Sequence, residues 1–134
     1  MNTADLPSTA FDQPDLWSVL SSLDDGALDA LGFGVIGFDA ADIVQRYNAT
    51  ESRLAALGRH QVVGLPLFTV VAPCMDNALV AQRFHGARQQ ARPLDATIDY
   101  VLTLRMRPTP VRLRLLAGPA DAPPDRLSYV CVQR

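Results

Sequence analysis

Between Ala96 and Leu116 apolar and polar residues alternate with a period of two, and this constrains the fold more than any other feature of the chain. Ile98, Tyr100, Leu102 and Leu104 share one face of the stretch Ala96 to Met106. Val111, Leu113 and Leu115 alternate with Arg112 and Arg114 between Pro110 and Leu116. Only an extended strand sends successive side chains to opposite faces, so both runs are half-buried strands, joined by a turn at Pro108-Thr109-Pro110. The loop from Gly118 to Asp125, rich in proline, leads to a further strand at Leu127 to Gln133. An antiparallel sheet with a helical cover follows.

The first half supplies the other strands. Phe33 to Asp39 and Ile43 to Tyr47 form a hairpin across a four-residue loop. Residues Thr50 to Gly58 are helix-like and close on glycine. The longest helix is expected from Ala78 to about Gln90, capped by Asp76 or Asn77, with its apolar weight on Leu79, Val80 and Phe84. Upstream, Pro14 to Leu20 and Asp24 to Leu31 read as two short, weakly amphipathic helices laid over the sheet. The expected architecture is α+β: a five-stranded antiparallel sheet with helices on one side and an N-terminal helical cap. Residues 1–32 form the cap and 33–134 the core of a single domain, which suits a chain of 134 residues.

Composition removes several functions. Hydrophobic residues make up 49% and charged residues 19%, a balance that buries a core. A net charge of −2 calls for neither nucleic acid nor an anionic membrane. The N-terminus lacks the basic start and apolar stretch of a signal peptide, and no apolar run reaches the ~20 residues of a membrane span, so a cytoplasmic protein is expected. His60 and His85 have no zinc-ligand spacing to Cys74 or Cys131, and two free thiols are expected.

Two stretches carry chemistry. Tyr47-Asn48-Ala49-Thr50-Glu51 sets a phenol and a carboxyl four positions apart; Val71-Ala72-Pro73-Cys74 ends an apolar run on a thiol. Brought together, they make a nucleophile for tethering and two hydrogen-bonding partners for a small acidic molecule. Standing alone, Cys74 would be a small buried hydrophobe and Tyr47 an ordinary strand tyrosine; Cys131, in mid-strand, is a core thiol.

The strand order resembles the PAS domain, and the motifs resemble the photoactive yellow protein family. The resemblance rests on Asp24-Asp25-Gly26-Ala27-Leu28-Asp29 with Phe33-Gly34-Val35-Ile36, Tyr47-Asn48-Ala49 with Glu51, Gln61-Val62-Val63-Gly64, Val71-Ala72-Pro73-Cys74 with Asp76, and Tyr100, Met106, Pro108-Thr109 and Ser128-Tyr129-Val130, over residues 20–134. It implies a blue-light receptor, not an enzyme, whose chromophore is p-coumaric acid (4-hydroxycinnamic acid) held as a thioester on Cys74. Tyr47 and Glu51 would hydrogen-bond its phenolate. Ala55, Leu57, Phe68, Ala72, Pro73, Tyr100, Leu102 and Met106 would line the pocket, and the Cys74 peptide N–H would donate to the thioester carbonyl. Light would drive trans–cis isomerisation, Glu51 would donate a proton, and the cap would rearrange to form the signalling state. The sequence holds no output domain, so the signal is expected to pass to a separate protein unless the chain is an excised module, and a monomer or weak dimer is expected. Two positions depart from the family pattern: Ala55 stands where a threonine supports the tyrosine hydroxyl, and Leu57 where an arginine covers the chromophore, leaving Arg53 or Arg59 as substitutes. Those departures imply a shifted absorption or an altered photocycle rate. The alternatives are a PAS sensor or dimerisation module that binds a ligand or partner without a covalent chromophore, and a thiol enzyme using Cys74 with His60 or His85.

Overall fold

A computed structural model describes residues 9–103, 107–119, 121–123 and 126–134. Five strands, β1 (Gly34–Phe38), β2 (Val44–Tyr47), β3 (Leu94–Leu102), β4 (Thr109–Ala117) and β5 (Ser128–Gln133), form one antiparallel sheet in the order β2-β1-β5-β4-β3. Alternation holds through the β3–β4 pair: Ile98 faces Leu113 and Tyr100 faces Val111. The expected extension of β3 through Leu104 to Met106 lies outside the described residues. Strand β1 is buried at every position because both of its faces are covered.

Each face carries its own core. On one, Ile36, Phe38, Val111, Leu113, Leu115, Val130 and Val132 pack under α3 (Ala49–Ala55), α4 (Arg59–Val62) and α5 (Ala81–Gln89). On the other, Val35, Leu116, Tyr129 and Cys131 pack under the N-terminal segment, α1 (Leu16–Ser22) and α2 (Asp25–Asp29), through Phe11, Leu16, Leu20 and Leu28. Burial raises the Cys131 thiol far above its ordinary value and makes it a core group.

Two arginines fasten the cap to the sheet. Arg114 on β4, 5% exposed, pairs bidentately with Asp95 and donates to the carbonyls of Phe11 (2.8 Å) and Gln13 (2.7 Å). Arg46 on β2 donates to Leu20 O (2.9 Å), Leu23 O (2.6 Å) and the Tyr129 hydroxyl (3.1 Å). The Leu20 carbonyl already takes a long bond from Leu23 N (3.3 Å), and the guanidinium completes the C-terminal end of α1 from a distance. Arg114→Ala is expected to lower stability by about 2–3 kcal/mol, the worth of buried hydrogen bonds to a charged group. Denaturant titration read by Trp17, the sole tryptophan, checks this, because its indole N–H donates to Leu127 O across the cap–sheet boundary.

Two expected helix boundaries shift. The helix after Thr50 ends earlier: Ala56 takes a left-handed conformation (φ 55°), and Gly58 instead opens α4. The longest helix begins at Ala81, not Ala78. Asn77 accepts from the amides of Leu79 and Val80 and so tightens a turn ahead of the helix. This leaves Leu79 52% exposed, and the inner face of α5 is Ala81, Phe84 and Ala87.

Candidate functional site

The site starts from Asn48, which is 0% exposed. It caps α3, accepting from Glu51 N (3.0 Å) as an asparagine at a helix start does. The same oxygen accepts from Val35 N (3.0 Å), and the amide nitrogen donates to Leu28 O (2.9 Å) and Phe33 O (3.0 Å). One side chain thereby joins α2, β1 and α3. It also sets the start of α3, and with it the placement of Glu51 in the first turn.

Glu51 is 3% exposed, and its carboxyl lies against Gly34 of β1. A Cβ at residue 34 would come within 2.1 Å of Glu51 Oε1, so glycine provides the space for this side chain. Arg134, one residue past β5, holds the carboxyl through Nη1 to Oε1 at 2.8 Å and Nη2 to Oε2 at 3.3 Å. Burial raises the proton affinity of Glu51, the Arg134 guanidinium lowers it, and burial prevails.

Tyr47 ends β2 with 2% exposure, in the core on the α3–α5 side. Burial, and then the charge of Glu51, raises its hydroxyl well above the ordinary phenol value, so it stays protonated as a donor. Arg59, from α4, donates to Tyr47 O at 2.8 Å and pairs with Asp29, so it braces the backbone of the tyrosine. Arg53 is exposed.

Cys74 follows a turn of π-helix, Leu67–Val71, and sits within a short 3-10 turn, Pro73–Met75. In the π-turn Val71 N bonds to Pro66 O and Ala72 N to Leu67 O, each reaching back five residues. The thiol-bearing residue is half-buried against the same core as Tyr47. Its carbonyl accepts from the Tyr100 hydroxyl (2.5 Å) and from Asn77 Nδ2 (3.1 Å), and Asn77 Nδ2 donates to Tyr100 as well (2.6 Å). These bonds tie the Cys74 backbone to β3.

The fold therefore gathers Tyr47, Cys74 and the neighbouring Glu51 around one core. Of the other expected pocket residues, Ala55, Phe68, Ala72 and Leu102 are buried; Leu57 and Tyr100 are partly buried and pack on that core. Pro73 is exposed, and its ring stands at the start of the turn bearing Cys74. Met106 lies outside the described residues. Among the described residues, the guanidinium that meets the Glu51 carboxyl belongs to Arg134, 83 residues away in the chain. His60 is exposed, and His85 pairs with Asp42 (2.7 Å); neither hydrogen-bonds Cys74 among the described residues. No group of three or more His, Cys, Asp or Glu residues is placed to hold a metal ion among the described residues, and no described helix is long and apolar enough to cross a membrane.

No family model matches the chain. It is 30% identical over 105 residues to photoactive yellow protein of Rhodothalassium salexigens, spanning 78% of this chain and 83% of that protein. The chain belongs to the photoactive yellow protein family. Photoactive yellow protein of Halochromatium salexigens is 30% identical over 83% of this chain and 88% of its own length. Among solved structures, the photoactive yellow protein domain of the sensor histidine kinase Ppr from Rhodospirillum centenum matches with TM-score 0.77 and 30% identity, over 88% of this chain and 99% of that one. A PAS domain from Colwellia psychrerythraea matches with TM-score 0.57 at 11% identity, over 81% of this chain and 90% of that one, which places the fold among PAS domains. The chain is thus a photoreceptor or sensor domain of the PAS class.

One pH response follows from the site. A carboxyl whose folded proton affinity is raised binds more protons folded than unfolded, so stability falls as pH rises through that window. Glu51 contributes this fall from its ordinary value of 4.5 upward, until the folded form is itself ionised. Glu51→Gln removes it: the stability of the variant relative to the native chain is expected to grow with pH above 4.5 and then level off, as urea unfolding across pH would show.

Proposed function

We propose that this chain is a blue-light receptor carrying p-coumaric acid as a thioester on Cys74. The observation that carries the reading is one core flanked by a half-buried thiol, a buried phenol that stays protonated, and a buried carboxyl with raised proton affinity. The donor set suits such a group. A thiol forms the thioester, and a phenolate in a low-dielectric core requires short charge-assisted hydrogen bonds from neutral donors. Tyr47 stays protonated and donates one; Glu51, when protonated, donates the other. Asn77 and Tyr100 hold the Cys74 backbone, while Phe68, Ala72 and Leu102 exclude water. The bound chromophore supplies light absorption and isomerisation about its vinyl bond. Glu51 is the proton donor: its O–H bond breaks, the proton passes to the phenolate oxygen, and a carboxylate remains. Asn48 carries the change at α3 toward α2 and the cap.

The receptor acts in the cytoplasm as a monomer or weak dimer and passes its signal to a downstream signalling partner, with no catalysis of its own. Reconstitution with activated p-coumarate tests the proposal. The purified chain should turn yellow, gain one adduct by intact mass and bleach reversibly in blue light. A colourless chain without adduct would leave a PAS sensor that binds its ligand non-covalently.

A further inference from the structure

Arg134 is spent on Glu51 although nothing in a hairpin or helix requires it to be. Its guanidinium meets both carboxylate oxygens, at 2.8 and 3.3 Å, in a pair whose carboxyl side chain is 4% and whose arginine side chain is 19% exposed. The space is made by Gly34, since any side chain there would displace Glu51 Oε1. Among the described residues, β1 contributes Gly34 and β2 contributes Tyr47 beside Glu51, and Asp29 of α2 is engaged by Arg59 and the Ala49 amide. On its outer side Arg134 borders an open groove with Asp99, Tyr100 and Arg112.

We propose that Arg134 is the counter-ion of Glu51, holding the carboxylate that remains when Glu51 gives up its proton. The inference rests on Glu51 as proton donor. An uncompensated buried carboxylate is strongly disfavoured and recovers its proton quickly; one already facing a guanidinium is tolerated. Arg134 therefore makes proton release less costly and sets how long the charge-separated state persists. It is a positioning residue: its effect on the chromophore acts through Glu51.

Glu51 is the sole glutamate, so a 13C-glutamate label gives one side-chain carboxyl signal. In the full chain without chromophore, Arg134→Gln is expected to raise its midpoint by about one to three pH units, the usual effect of a close opposite charge, while Arg134→Lys keeps it near the native value. In the reconstituted chain Arg134→Gln should shorten the signalling-state lifetime by roughly tenfold for each unit of that rise, with Arg134→Lys restoring it. A midpoint that stays put in Arg134→Gln, or moves as far in Arg134→Lys, overturns the proposal. A moved midpoint with an unchanged lifetime overturns the role in signalling. A chain that takes no chromophore defeats the photoreceptor reading, yet the titration still decides whether Arg134 is the counter-ion.

Discussion

Replacing Cys74 by serine is expected to abolish covalent pigment: after incubation with activated p-coumarate, the intact mass should remain that of the bare polypeptide. A serine hydroxyl keeps the size of the side chain but is a far weaker nucleophile than a thiol, whose thiolate fraction near neutral pH is already a few per cent. The chain offers one internal control. Cys131 is the other cysteine, fully buried in the core beneath the cap, with its thiol held protonated by burial. It should take no adduct in either chain, so the native protein gains one adduct and Cys74→Ser none. The fold should be barely affected, because Cys74 is only half-buried and the bonds that anchor it use its backbone carbonyl, which serine retains. Adduct on Cys74→Ser would locate the attachment elsewhere and defeat the assignment.

The largest loss of stability is expected from Asn48→Ala. Four hydrogen bonds vanish at a position with no exposure, leaving the amides of Val35 and Glu51 and the carbonyls of Leu28 and Phe33 without that partner. Each buried polar group left unsatisfied costs about 1–3 kcal/mol, and partial relaxation should bring the total to about 3–4 kcal/mol. Urea unfolding measures it. Hydrogen exchange should show faster opening at residues 25–35 than at β3 and β4, because Asn48 joins the cap side to β1 and α3. Uniform loss of protection across the sheet would contradict that linkage.

The sheet was legible in the sequence because alternation over nine-residue strands leaves one register in which Leu113 and Leu115 are buried while Arg112 stays outside. Tyr47, Glu51 and Cys74 stood out as candidates because each lies in a compact local motif, and the structure places Tyr47 and Cys74 on one core with Glu51 buried beside it. Arg134 was not: its partner is 83 residues away, and an arginine beyond a strand normally looks to solvent. Gly34 was equally silent, since its role depends on a side chain from α3. The π-turn before Cys74 escaped because bonds reaching back five residues have no residue signature comparable to a helix cap. The start of α5 was misplaced because Asn77 has the identity of a cap, yet its oxygen accepts from Leu79 and Val80 and closes a turn ahead of the helix.

The sheet separates two cores, with the thiol and carboxyl on one side and the arginine-fastened cap on the other. For anyone building a light-driven tool from this chain, that division makes pigment tuning and output separable design problems. If the chromophore sits as proposed, substitutions at Ala55 or Leu57 would address colour and recovery without touching the cap. Substitutions at Arg46 or Arg114 change how tightly the output element is held without entering the pigment's surroundings. Asn48, bonded to both sides of the divide, is the one side chain to leave alone until each half has been tuned.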